Sequence, residues 1–169
     1  MKLHIGGKQA KEGWKILNIQ KNDNVDFVGD INDLNQFKTE SIDEIYASHV
    51  LEHVGQPKVN NTLQGVYRVL KKKGKFYVSV PDMDILAHAF VSPLASAENK
   101  FAIMRIMFGG QVDEYDFHYF GWNFQFLRDF LKKVGFSEFK KVDSFGLFED
   151  NSNYKIYGFP VSLNLIVTK

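Results

Sequence analysis

Apolar residues along this chain gather into short, nearly continuous runs separated by glycine-rich and polar turns. Residues 2–5 form the first run and stop at Gly6-Gly7. Residues 15–19 and 25–28 form the second and third, the latter closed by Gly29-Asp30, and residues 43–48 the fourth. Such runs, apolar on both sides rather than alternating, predict parallel strands covered on both faces. From Pro57 to Leu70 the period changes: Val59, Leu63, Val66, Tyr67 and Leu70 recur at helical spacing, with Pro57 suited to a first turn. The run Lys71-Lys72-Lys73 before Gly74 reads as the solvated end of that helix. Residues 76–80 are then a fifth strand, stopped by Pro81-Asp82. In the second half, helices are expected over residues 96–108 and 123–134. The latter carries the stripe Phe124, Leu127, Phe130, Leu131 and Val134, and Gly135 follows as a cap. Two more strands are expected over residues 137–145 and 162–168, with loop over 146–160.

Strands alternating with helices predict an α/β Rossmann-like sheet in one domain, residues 1–169. The pattern changes character near residue 82, dividing residues 1–82 from residues 83–169. With 21 basic and 20 acidic residues the net charge is only +1, which argues against nucleic acid or an anionic membrane as partner. The chain has no cysteine, so disulfides and thiolate metal sites are excluded. Neither a signal peptide nor an apolar run of about 20 residues is found, and a cytoplasmic location is expected. The 16 phenylalanines leave room for a dimer face and hence a homo-oligomer.

The opening stretch LHIGGKQAKEGW carries the first chemical question. A parallel crossover usually needs a dozen or more residues, and Gly6 to Trp14 is too short for a full helix. The G-x-G-x-x-G loop that presents a helix N-terminus to a pyrophosphate is absent as well, which counts against a nicotinamide oxidoreductase. A cofactor without phosphate suits so compact a loop better.

The blocks LHIGG, GWKILNI, VDFVGDINDL, SIDEIYASHVLEHV, RVLKKKGKFYVSVPD, FGGQVDEYDFHYFGW and FGLFEDNS, in this order, resemble the class I SAM-dependent methyltransferases. The resemblance is to a small type-11-like subgroup associated with bacterial surface-polysaccharide genes. It implies a mostly parallel seven-stranded sheet whose last strand is antiparallel, with the first crossover helix shortened or absent. It also implies S-adenosyl-L-methionine (SAM) as cofactor and a small hydroxylated or sugar-like acceptor, with residues 1–82 as the cofactor-binding half and residues 83–169 as the acceptor-covering, sheet-completing half.

Residue by residue, the resemblance places the amides of Gly6 and Gly7 toward the cofactor's carboxylate. It places Asn18 where the family has an acid for the ribose, Asp30 at the adenine amino group, and Ile31 against the ring. An amide at position 18 gives up charge assistance, a loss of roughly tenfold in affinity if nothing compensates. Ser48 and His49 end the fourth strand at the cofactor edge, with His49 facing the transferred methyl. His49 or His118 is the candidate base, because an imidazole accepts a proton near neutral pH. Asp82, Asp116, His118 and Tyr119 are candidate acceptor contacts. Glu52 and His53 offer two ligands, too few for a metal. The alternative is a non-catalytic binding or scaffold protein of this fold, with weakened SAM affinity.

Overall fold

The computed structural model describes residues 1–156 and 158–169. Strands β1 (Lys2–Ile5), β2 (Trp14–Asn18), β3 (Phe27–Val28), β4 (Ile42–Ser48) and β5 (Leu70–Pro81) run parallel. Between β4 and β5 lies helix α1 (Val59–Val69). Helices α2 (Met83–Val91), α3 (Ala97–Phe108) and α4 (Phe124–Val134) follow, then β6 (Ser137–Val142). A small hairpin, β7 (Lys155–Ile156) with β8 (Phe159–Pro160), precedes the closing strand β9 (Ser162–Thr168). The main sheet has the order β3-β2-β1-β4-β5-β9-β6. β9 inserts antiparallel between β5 and β6, as the sequence reading expected of the last strand.

β4 shows how the sequence assigns the faces. Side chains alternate along a strand, so Ile45 and Ala47 point one way and Tyr46 the other. Ile45 and Ala47 join the main core with Leu63 and Val66 of α1 and Leu127 and Leu131 of α4. Leu127 and Leu131 are four apart, hence on one helix face, and each contributes about 2 kcal/mol by leaving water. Asn123 caps α4 by accepting the Phe126 amide at 2.9 Å, and Gly135 closes it with φ 119°. Ser96 caps α3 in the same way, through the Asn99 amide.

The opposite face has a different cover. Gly6 to Gly13 crosses from β1 to β2 as turns and irregular backbone. Aromatic side chains from the segment after β6 lie over this part of the sheet. Phe148 packs on His4 (4.1 Å between ring centroids), Tyr46 (4.7 Å) and Trp14 (5.3 Å), and Phe145 packs on Tyr46 (5.4 Å). Lys11 ties this cover to the crossover by donating to the Leu147 carbonyl at 2.5 Å.

Several expectations need correction. The lysine run does not end a helix: α1 stops at Val69, Leu70 is extended and pairs with Ile42, and Lys71 to Lys73 belong to the start of β5. Lys71 there reaches Asp43 at 2.7 Å. α2, unforeseen, begins where Pro81-Asp82 looked like a mere stop, because Asp82 accepts the Asp84 amide and caps it. β3 is only two residues long and β6 ends at Val142, well short of residue 145. The stretch expected to be loop holds a 3-10 turn, Asn151–Asn153, and the β7–β8 hairpin; Tyr157 lies outside the described residues. Among those residues, no helix is long and apolar enough to cross a membrane.

Candidate functional site

Two cavities open at the carboxyl ends of β1, β2 and β4, the edge where open α/β sheets bind ligands. The first, about 730 Å³, is lined by Asn18, Gly29, Asp30 and Ile31 among others. The second, about 650 Å³, is lined by Ser48, Arg105, His118, Glu149 and Asp150 among others. They adjoin, sharing Gly6, Lys8, His49, His53 and Asp116 as common wall. Each volume falls within the range of small-molecule sites.

The glycine corner is built for close approach. Gly6 has φ 76°, and a Cβ there would stand 2.7 Å from Val50 Cγ2. A Cβ on Gly7 would meet the His4 ring at 2.6 Å. The Gly6 amide, expected to face a ligand, instead donates to the Leu17 carbonyl at 2.8 Å and extends the β1–β2 pairing. Asn18, only 7% exposed, is also engaged internally. Its Nδ2 donates to the Gly7 carbonyl at 2.9 Å, and its Oδ1 accepts the Gln20 amide at 2.9 Å. The amide thus pins the corner to the end of β2 and keeps one oxygen lone pair for a ligand. Asp30 accepts the Asn32 backbone and side-chain amides at 3.0 Å, so it organises its own turn while lining the first cavity.

Tyr119 lines the first cavity, His118 the second, and Asp116 both. Ser48 stands on the second cavity rather than the first and donates to Asp150 at 3.2 Å. Asp82 lines neither cavity: 4% exposed, it spends itself on the α2 cap, with Lys141 Nζ 4.0 Å away. Burial raises its pKa, against the pull of Lys141.

Sequence reasoning missed the acids Glu149 and Asp150. Asp150 accepts the Tyr46 hydroxyl at 2.7 Å and thereby sets the cavity floor. The FGLFEDNS block contained the signal, two acids directly after an apolar pair. His4 was missed as well. Desolvation holds it down to about 4 despite nearby Asp150, so it is neutral at pH 7.

Behind the shared wall lies a carboxylate ringed by imidazoles. Glu52 sits in a 3-10 turn, Leu51–His53, and is 1% exposed. Its backbone carbonyl accepts the Tyr119 and Phe120 amides at 2.8 and 3.2 Å, which brings the segment carrying His118 alongside. Burial pushes the Glu52 pKa up, but His49, then His53 and His118, outweigh it and leave the group below its ordinary value. His49, with the left-handed φ of 54°, holds Nδ1 at 3.2 Å from Glu52 and Nε2 at 2.9 Å from Ser162 Oγ. Both ring nitrogens therefore face protein, which limits His49 as a base toward a ligand. His53 Nδ1 lies 3.0 Å from the Phe117 carbonyl and must donate to it, leaving Nε2 as a lone pair. Desolvation lowers the His118 pKa, partly countered by Glu52.

Among solved structures, the chain is similar to a SAM-dependent methyltransferase of Thermotoga maritima. The two are 21% identical, with a TM-score of 0.64 over 99% of this chain and 81% of that one. A SAM-dependent methyltransferase of Archaeoglobus fulgidus follows at 16% identity and TM-score 0.61, over 99% and 85%. The fold is that of the SAM-dependent methyltransferases. The methyltransferase fold also matches the 1,6-didemethyltoxoflavin-N1-methyltransferase of Burkholderia thailandensis, solved with that substrate and S-adenosylhomocysteine. Identity there is 12% and the TM-score 0.62, over 99% and 70%. A family model described as a methyltransferase domain matches residues 7–78, which run from the glycine corner of this fold into β5. No curated protein matches the sequence.

Proposed function

We propose that this chain is a SAM-dependent methyltransferase that methylates a small hydroxylated, sugar-like acceptor. The observation that carries the reading is the pair of adjoining cavities with His49, His53 and Asp116 in their common wall. Methyl transfer needs two ligands held side by side and in line, and catalysis rests chiefly on that alignment. The first cavity fits the cofactor: a glycine corner that tolerates no Cβ, a spare oxygen lone pair on Asn18, Asp30 at its turn, and Ile31 as an apolar wall. Bound there, SAM supplies a methyl group on a cationic sulfur.

Asp116, Glu149 and Asp150 give the second cavity hydroxyl acceptors, and Arg105 and His118 give it donors. That mixture suits a polyhydroxylated ligand, and it is the support for an acceptor of this class. The acceptor's proton leaves toward the imidazoles at the seam, where desolvation lowers the pKa of His118. A cytoplasmic place in bacterial surface-polysaccharide synthesis follows from the resembled subgroup and belongs to this proposal.

One observation favours the alternative, a binding or scaffold protein with weakened affinity. Both ends of the Asn18 amide already have partners within the protein. Calorimetry with SAM and S-adenosylhomocysteine decides between them. Binding at micromolar to sub-millimolar concentration supports the enzyme. Absence of heat at millimolar ligand, with the protein folded by circular dichroism, overturns it.

A further inference from the structure

We propose that Glu52, His53 and His118 bind a divalent first-row transition-metal ion at the seam between the two cavities. One donor atom from each lies within 4.8 Å of the other two. Donors sharing one such ion at about 2.0–2.2 Å stand roughly 3–3.5 Å apart, so only a small closure of side chains is needed. Two imidazoles and a carboxylate suit zinc, iron, cobalt or manganese, whereas magnesium and calcium prefer all-oxygen shells.

Unpaired groups argue for a missing cation. Both Glu52 oxygens and His118 Nδ1 are buried without a hydrogen-bond partner among the described residues. Apart from His49 Nδ1, 3.2 Å from one oxygen, the Glu52 carboxylate has no partner among the described residues, and a carboxylate so deeply buried is costly to leave under-compensated, so a further positive group belongs beside it. His53 is prepared as ligands commonly are, with Nδ1–H on a backbone carbonyl and Nε2 left over.

The site itself stands on this geometry; its use rests on the methyltransferase reading. His53 and His118 line the second cavity, so an ion they hold has a coordination position open to an acceptor. A hydroxyl bound there loses its proton more readily, as metal-bound water does. The alkoxide oxygen then takes the methyl carbon as the carbon–sulfur bond breaks. The electron pair of that bond stays on sulfur, which becomes a neutral thioether; with His53 and His118 holding the ion, the hydroxyl proton passes to solvent instead of to these rings.

The test uses the full chain, stripped of metal, titrated with CoCl₂, ZnCl₂ and MgCl₂ by calorimetry and, for cobalt, by visible absorption. One Co²⁺ or Zn²⁺ per chain, with a ligand-field band and no comparable Mg²⁺ response, is expected. His118→Ala should weaken Co²⁺ binding about tenfold or more yet keep S-adenosylhomocysteine affinity, because His118 does not line the first cavity. Glu52→Gln should abolish Co²⁺ binding; should that buried substitution prevent folding, His118→Ala carries the test. Folded wild-type protein that binds no Co²⁺, or an affinity untouched by His118→Ala, overturns the site. Metal binding without S-adenosylhomocysteine binding sinks the methyltransferase reading and leaves the metal site standing. The reverse result does the opposite.

Discussion

Replacing Asn18 by Asp inserts the carboxylate that the family pattern carries, and by sequence alone it should tighten cofactor binding. The structure assigns the opposite result. Asn18 Nδ2 donates to the buried Gly7 carbonyl at 2.9 Å, and an aspartate would set an oxygen against an oxygen there. Losing the bond costs about 1 kcal/mol, and the unsatisfied buried pair adds about 1–3 kcal/mol. The bond from the Gln20 amide, at 2.9 Å, gains charge assistance and offsets about 1 kcal/mol. The net is a destabilisation of about 1–3 kcal/mol, which lowers the melting temperature by roughly 3–10 °C for a chain of this size. The pH dependence has a definite sign. Burial and the Gly7 carbonyl raise the new carboxyl's folded-state pKa above its unfolded value of about 3.9. Destabilisation is therefore complete above the folded-state pKa, shrinks as pH falls through it, and is gone below about 3.9. Melting scans of wild type and Asn18→Asp at pH 8 and pH 5, with S-adenosylhomocysteine calorimetry at pH 8, check both parts. A variant as stable as wild type at pH 8, binding the ligand more tightly, would refute the pinning role of Asn18.

Gly6→Ala and Gly13→Ala impose the same backbone strain, φ 76° and 79°, but only position 6 has a neighbour in the way, Val50 Cγ2 at 2.7 Å. Both should lose about 1–2 kcal/mol of stability to the left-handed backbone, Gly6→Ala more than Gly13→Ala because Val50 must also give way, and only Gly6→Ala should weaken S-adenosylhomocysteine binding, about tenfold or more; equal affinities would remove the corner from the site. His4, held at about 4 against an ordinary 6.5, gives stability that is complete above pH 6.5 and fades as pH falls toward 4, by roughly 3 kcal/mol. Urea midpoints at pH 7.5 and 4.5 should therefore drop less for His4→Leu than for wild type, and an unchanged drop would clear His4 of this role.

The sheet was legible because its strands are apolar on both sides: Leu3, Ile5, Ile16, Leu17, Val78 and Val80 are all buried. α1 and α4 were legible because one face of each is apolar. α2 was not, since its nearly uniform apolar sequence shows no stripe and only Leu86 is buried. The lysines at 71–73 misled because a strand entering the sheet with exposed side chains looks, locally, like a solvated helix end. At the site, neighbours in sequence were visible and neighbours in space were not. Glu52-His53 looked like an incomplete ligand set because His118 arrives only through amide bonds to the Glu52 carbonyl. The pinning by Asn18 was equally hidden, because it depends on where the Gly7 carbonyl points.

The compact crossover between β1 and β2 affects how this chain comes into being. Where a helix would roof these strands as soon as they emerge, the roof here is Phe145 and Phe148, far downstream of the strands they cover. On the ribosome, Trp14 and Tyr46 would stay without their aromatic cover until that late segment appears. Residues 7–78 are thus not a unit that can be cut out, since the family match ends inside β5 while the partners of β1 and β4 lie far beyond it. A nascent chain stalled before Phe145 would present a bare aromatic surface, the kind of patch that chaperones hold.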